Sequence, residues 1–481
     1  MRVQNEIAIE LAGDGKQPVF LEIATSIIRE IERGRLKPGD ALPGTRALAS
    51  SLKVHRNTVD AAFHELTMQG WLVAKPSRGT FVASDLPDVR SANRRTRSRS
   101  GEGRLRTGKA APPLLHVSDG SPDPREMPRA ALARAFRRAL STPAFLANGS
   151  YGDPRGAISL RTALADYLVQ DRGLPVSPDE VLVTRGSQMG LFLAATAILE
   201  PGQTIAVEEP GYPLAWAAFR AARARVVGVP VDAQGIDVSK LAALAEREPT
   251  LKAIYVTPHH QYPTTVTLGA GRRLKLLDLA RRYRLTIIED DYDHEYRFEG
   301  RPILPLAART DADGSTIYIG SLSKLLAPAV RVGYAVASPE ILTRMVDRRE
   351  AIDRQGDLPL EQALANLIEE GELRRHARKA RRIYAARRDF LANEIHRGLG
   401  DDVVFNMPAG GLAIWLRLSA GLNAETWSSN AARAGLSIAP GLRFALDAAN
   451  ATQAFRIGYA NLDESDLKRV IAILIRTRPR R

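Results

Sequence analysis

Hydrophobic positions fall into two textures that change near residue 114. Between Val19 and Ile31, Phe20, Ile23, Ala24, Ile27 and Ile31 recur at helical spacing and make one apolar stripe. Glycines and prolines in RGRLKPGDALPG then end that helix. Thr45–Leu52 reads as a short helix carrying Ala47, Leu48 and Leu52. After the turn at 53–55, Val59, Ala62, Phe63 and Leu66 form a second apolar face. Two short helices about a tight turn, the second opening with polar Arg56, Asn57 and Thr58, read as a helix-turn-helix. Its second helix would present its N-terminal residues to base edges in the major groove. Two short strands, 70–73 and 80–83, flank a glycine-containing turn and predict a wing.

Beyond Pro113, helical segments alternate with continuous apolar runs at 180–184, 203–207, 253–257, 285–288 and 316–319. Such runs predict an α/β fold whose mostly parallel sheet is buried on both faces. Ligands on these sheets bind beyond the carboxyl ends of the strands. The residues that follow each run are therefore the candidate site.

Composition narrows the class. The 481 residues are 44% hydrophobic and contain no cysteine, which excludes disulfides, thiolate metal sites and a cysteine nucleophile. No stretch approaches the ~20 apolar residues of a membrane span. The N-terminus lacks the apolar run of a signal peptide, so the expected compartment is the cytoplasm. The net charge of +14 is unevenly spread. Residues 1–85 hold 11 Lys+Arg against 10 Asp+Glu, whereas 86–113 hold eight against two. That middle stretch, rich in Arg, Ser, Gly and Pro, reads as a basic flexible linker between an N-terminal DNA-binding domain (1–85) and a large domain (114–481).

After 316–319 comes GSLSK, where Lys324 in a tight turn suits a Schiff-base lysine. Ser321 and Ser323 offer hydroxyls to a phosphate, and Arg331 offers a bidentate cation. After 285–288 comes EDDYD, where a carboxylate would hold a pyridine nitrogen protonated and the Tyr292 hydroxyl would reach a ring oxygen. Spacing alone does not choose among Asp290, Asp291 and Asp293. After 180–184, Gly186 precedes a helix whose first amides make a phosphate site. EEPGY supplies the ring of Tyr212, and TPHHQYPTT supplies polar and aromatic groups. Adjacent His259 and His260 cannot both face one ion from a strand, so no metal is expected. Together these residues describe a pocket for pyridoxal 5'-phosphate.

GRLKPGDALPGTRALASSLKVHRNTV, AAFHELTMQGWL and RGTFV resemble the winged-helix domain of the GntR regulators. YGDPRG, TRGSQMGL, EEPGY, TPHHQYPT, IEDDYD, GSLSK, RVGY, PAGGL and FRIGYA resemble a fold-type-I aminotransferase, in family order. The whole chain resembles the MocR subfamily. That resemblance implies a pyridoxal-phosphate transferase fold joined to a winged helix-turn-helix. It makes Lys324 the cofactor lysine, Asp290 and Tyr292 its ring partners, and Tyr212 the stacking ring. Ser187, Gln188, Ser321, Ser323 and Arg331 would bind phosphate. Tyr151 would reach the cofactor of the partner subunit in a homodimer, and Arg456 would take an effector carboxylate. Arg46, Arg56, Asn57, Thr58, Lys75 and Arg78 would contact double-stranded DNA.

Four positions depart from the pattern. Gly44–Thr45 stands where a hydroxyl or acidic residue usually precedes Arg46, and His55 stands in the helix-capping position of Ser or Thr. Thr264–Thr265 replaces Thr-Gly, and Tyr262 replaces the cofactor-contacting Asn. The latter two point to a sensor of an amine, an amino acid or the cofactor itself, more than to a working transaminase. The alternatives are an active aminotransferase carrying a DNA-binding domain, and a DNA-binding protein whose large domain only dimerises.

Overall fold

The computed structural model describes residues 18–75, 78–84, 115–142, 151–299, 303–309 and 316–479, and the predicted linker 86–113 lies outside them. The chain forms two units, Met1–Thr107 and Gly108–Arg481. In the first, helices α1 (Val19–Glu32), α2 (Thr45–Leu52) and α3 (Arg56–Met68) precede a hairpin of β1 (Leu72–Lys75) and β2 (Gly79–Val82). The helical stripes close one core around Ile23, Ile27, Val59, Ala62, Phe63 and Leu66. Lys53, in the left-handed region at φ 55°, ends α2 and makes the tight turn. His55 then caps α3, its Nδ1 accepting from the Asn57 amide at 3.3 Å. The imidazole thus fills the role expected of Ser or Thr. The first wing strand begins two residues later than the pattern predicts. The amides of Gly70 and Trp71 still close α3 onto Thr67 and Leu66, so the strand ladder begins at Leu72, opposite Val82.

In the second unit the strands are β3 (Leu115–His116), β4 (Val181–Thr184), β5 (Thr204–Glu209), β6 (Arg225–Asp232), β7 (Gly235–Ile236), β8 (Leu251–Val256), β9 (Thr286–Asp291), β10 (Thr316–Ser321), β11 (Gly333–Val336), β12 (Val403–Val404), β13 (Ala413–Leu418), β14 (Leu436–Ser437), β15 (Ala439–Pro440) and β16 (Ala454–Gly458). The helices are α4 (Arg129–Leu140), α5 (Ile158–Tyr167), α6 (Ser187–Ile198), α7 (Pro213–Ala221), α8 (Val238–Arg247), α9 (Ala270–Tyr283), α10 (Pro339–Ile352), α11 (Leu358–Glu369), α12 (Glu372–Leu399), α13 (Ala424–Arg433) and α14 (Glu464–Thr477). The main sheet has the order β4-β11-β10-β9-β8-β5-β6-β7. Strands β10, β9, β8, β5 and β6 run parallel, while β11 and β7 are antiparallel to their neighbours. A smaller antiparallel sheet, β12-β13-β16-β15, follows near the C-terminus.

Successive strand residues point to opposite faces. Leu182, Tyr255, Ile288, Ile319 and Ala335 share one face with apolar residues of α6, α7 and α10. Ile254, Val256 and Ile287 face the other way with α8 and α9, as do Val183, Tyr318 and Tyr334 in the largest core cluster. Burial on both faces explains why these strands read as unbroken apolar runs. Among the described residues, no helix is long and apolar enough to cross a membrane.

Candidate functional site

The carboxyl ends of β4, β5, β8, β9 and β10 lie along one edge of the sheet, and the chain's polar turns gather there. Beyond β10 the loop folds back on itself. The amide of Leu322 donates to Val332, and the Ser323 hydroxyl donates to the Val330 carbonyl at 2.5 Å. This fold aims Lys324 inward, where its Nζ donates to the Gly120 carbonyl at 2.8 Å. Burial pushes the ammonium below the ordinary lysine range, and the carboxylate of Asp119 opposes that shift.

Strand alternation sorts the three candidate aspartates. Asp290 faces the Tyr255 side, and its Oδ2 accepts from the Tyr255 hydroxyl at 2.9 Å. Its Oδ1 is buried and has no hydrogen-bond partner. Burial pushes this carboxyl up to about 7. Asp291 points to the reverse face, paired with Arg172 and accepting from Tyr318 at 2.7 Å. Burial works against its ionisation, but the Arg172 guanidinium holds it well below the usual carboxylate range. Asp293 pairs with His260 at 2.8 Å. His259 lies 3.7 Å from Asp291. The two imidazoles therefore diverge, each to a carboxylate that sequence spacing did not reveal. Among the described residues, no group of three His, Asp or Glu is placed to hold a metal ion.

On the phosphate side, Gly186 at φ +75° precedes Ser187, the first residue of α6. A side chain at Gly186 would sit 3.0 Å from the Arg331 guanidinium, so glycine leaves that cradle open. Arg331 is exposed and donates to the Arg185 carbonyl at 3.0 Å. The Gln188 amide donates to the Leu214 carbonyl at 2.7 Å, leaving its buried Oε1 without a partner. Ser321 is buried at the end of β10.

An aromatic wall closes the site. Tyr262 packs edge-on against Tyr212 at 4.9 Å, Phe444 at 5.7 Å and Tyr292 at 6.2 Å between ring centres. The Tyr262 hydroxyl donates to Asp119 at 2.7 Å, so the ring does not stand in for the amide of an Asn. The Tyr292 hydroxyl donates to the His260 carbonyl at 2.9 Å.

Arg456 and Tyr151 have neighbours in this chain that the sequence did not reveal. Arg456, 1% exposed, stacks 4.4 Å from the Tyr262 ring centre and donates to the main-chain carbonyls of Asp119 and Pro263. An incoming carboxylate would have to compete with those carbonyls. Tyr151 is 73% exposed, with the Arg354 guanidinium 4.4 Å from its ring centre, and does not join Lys324. Sequence reading missed Asp119, Gly120 and Phe444. Asp119 and Gly120 sit in the polar run DGSPDP, outside any strand-to-helix context, and reach Lys324 across 204 residues of chain.

In the N-terminal unit, Arg46, Arg56, Asn57, Lys75 and Arg78 are exposed and Thr58 is half-buried. Arg56 opens α3 and lies 3.4 Å from Asp60, a surface pair of little weight. Lys75 rests over the Phe81 ring.

Buried carboxyls give the protein a testable pH response. Burial pushes Glu208, Glu289 and Asp290 up to about 7 and Glu295 to about 8. The unfolded values are about 3.9 for Asp and 4.3 for Glu, so the folded chain binds more protons across the interval and loses stability as pH rises. Burial holds His259 and His294 below their ordinary range, an opposing effect confined to pH below about 6.5. The Tm of the cofactor-free chain should therefore fall between roughly pH 6.5 and 8, and less steeply in Asp290→Asn. Equal slopes in calorimetric scans would contradict the placement of Asp290.

Two family models match the chain. "Bacterial regulatory proteins, gntR family" matches residues 21–82, and "Aminotransferase class I and II" matches 120–474. The chain is 30% identical to the probable rhizopine catabolism regulatory protein MocR of Rhizobium meliloti, covering 95% of this chain and 92% of that one. It is 32% identical to the pyridoxine biosynthesis transcriptional regulator PdxR of Corynebacterium glutamicum, covering 78% of each. Among solved structures, the α-aminoadipate aminotransferase LysN of Thermus thermophilus, complexed with N-(5'-phosphopyridoxyl)-L-leucine, superposes with a TM-score of 0.69 at 30% identity. That match covers 76% of this chain and 92% of LysN. Fold and site together define a helix-turn-helix protein built onto an aminotransferase fold. The chain belongs to the MocR subfamily of GntR transcriptional regulators.

Proposed function

We propose that the large unit binds pyridoxal 5'-phosphate at Lys324 and reports an amine, an amino acid or the cofactor itself to the DNA-binding unit. The observation that carries this reading is the buried, unpartnered Oδ1 of Asp290 on the same side of β9 as Lys324. A buried polar atom without a partner is costly, and a protonated pyridine nitrogen would satisfy it. When bound, the cofactor supplies an electron-withdrawing ring and an aldehyde that an amine can occupy. Lys324 would hold that aldehyde, its lowered proton affinity favouring the neutral amine. Asp290 would hold a proton at the ring nitrogen, Tyr292 would meet the ring oxygen, and Tyr212 would cover a ring face. Ser187, Gln188, Ser321, Ser323 and Arg331 would hold the phosphate, Ser323 by releasing the Val330 carbonyl. Tyr151 would complete the site of the partner subunit in a homodimer, and Arg456 would take a carboxylate once freed from its carbonyls. The carboxylate of Asp119, between Lys324 and Arg456, favours an effector with a cationic amine.

The regulator reading is preferred to a working transaminase because Tyr262 spends its hydroxyl on Asp119 and offers no amide to the cofactor. Arg46, Arg56, Asn57 and Thr58 would read or grip the operator, with Lys75 and Arg78 reaching from the wing. We place the protein in the bacterial cytosol, on the nucleoid. A genome-wide map of its binding should show discrete sites beside a few genes; uniform coverage would count against sequence-specific regulation. The linker should add sequence-blind attraction. Deleting residues 94–99, which carry four arginines, should weaken binding to all DNA alike and flatten the salt dependence. An altered sequence preference in that deletion would contradict this role.

A further inference from the structure

The reverse face of β9 holds a second cluster of polar groups, away from Lys324. There a cavity of about 300 Å³ lies between α12, the chain after α5 and the turn at 294–297. That volume is at the small end of ligand-binding clefts. Four side chains that line it carry buried polar atoms with no hydrogen-bond partner: Arg172 Nε, His259 Nε2, Glu295 Oε2, and both Nε and Nη1 of Arg297. Buried polar atoms are normally satisfied, so several converging on one space call for an occupant.

The charge balance says which kind. Five arginines line the cavity: Arg172, Arg297, Arg374, Arg378 and Arg381. Arg172 is neutralised by Asp291 and Arg374 by Asp171 at 2.7 Å. Among the described residues, Arg297, Arg378 and Arg381 have no carboxylate partner. Glu295, the other lining carboxyl, is raised by burial to about 8 and holds its proton at neutral pH. Water could meet the hydrogen-bond demand of such a space, but it does not balance the charge of Arg297, whose Nε and Nη1 are buried there.

We propose that this cavity is a second ligand site, for a small anion bearing a carboxylate or phosphate group. Arg297 and His259 hold the anion inside, and the exposed Arg378 and Arg381 of α12 draw it in from the mouth. The site is separate from the cofactor pocket but adjoins it through one strand. Arg172 joins the cavity to Asp291, which follows Asp290 in β9.

Calorimetric titration of the full, cofactor-free chain with inorganic phosphate, and separately with succinate, at constant ionic strength tests this assignment. At least one of the two anions should bind, and the pair distinguishes the phosphate from the carboxylate source. Arg297→Gln should weaken that binding at least about tenfold, the scale of one charge-assisted hydrogen bond. Its Tm should be unchanged, since the side chain makes no ion pair. Arg331→Gln should weaken phosphate binding in the cofactor cradle alone and leave intact the binding component that Arg297→Gln removes. If Arg297→Gln does not fold, the exposed pair Arg378→Gln/Arg381→Gln replaces it with the same expectation. Three results would overturn the proposal: no binding of either anion, loss in Arg331→Gln with retention in Arg297→Gln, or anion binding untouched by any cavity variant while DNA affinity falls. The last would assign these arginines to the nucleic-acid backbone.

Discussion

Replacing Lys324 with alanine should abolish the visible absorption expected of the cofactor-loaded chain while the fold survives. The side chain's one hydrogen bond is to the Gly120 carbonyl, so its removal breaks no network that holds the loop. What is lost is, among the described residues, the amine placed beside Asp290, Asp119 and Arg456. Lys324→Arg separates charge from chemistry. It keeps a cation facing Asp119 but cannot bond covalently to an aldehyde, so it should be as colourless as the alanine variant. Absorption spectra of the three proteins after loading and dialysis decide the matter. A visible band that survives in Lys324→Ala would place the cofactor elsewhere.

Arg56→Ala should lower operator affinity by about 1–3 kcal/mol, roughly 5- to 150-fold, with little change in binding to random DNA. Arg56 stands at the start of α3, where a recognition helix meets base edges, and its surface pair with Asp60 contributes little to stability. Residues 1–85 are nearly neutral, so specificity must rest on a few placed groups rather than on field strength. Anisotropy titrations against specific and scrambled duplexes read both quantities. Equal weakening on the two would make Arg56 a phosphate contact instead.

How far the sequence carried these conclusions depends on the kind of interaction involved. The parallel strands were legible because burial on both faces forces unbroken apolar runs. β6 was not, since Gly228 and Pro230 interrupt RVVGVPVD. β11 was hidden because its first two residues belong to the RVGY motif, and β12 and β15 of the C-terminal sheet because they are two residues long. At the site, strand alternation separates Asp290 from Asp291, a distinction that spacing alone left open. The contact of Lys324 with Gly120 and the hold of Asp119 and Pro263 on Arg456 join distant segments, and no local pattern encodes them. The cap at α3 shows the reverse case. Position identified it, and only the imidazole geometry shows that His55 serves there.

The two units are coupled only if a ligand has unequal affinity for two states of the chain. The affinity of the full protein for DNA upstream of its own gene, measured with and without pyridoxal phosphate and across a panel of amines, tests this most directly. In the wild type at least one ligand should change that affinity about fivefold or more, and in Lys324→Ala the response to amines should vanish. Identical affinities under every condition, or an amine response that persists without Lys324, would contradict the account.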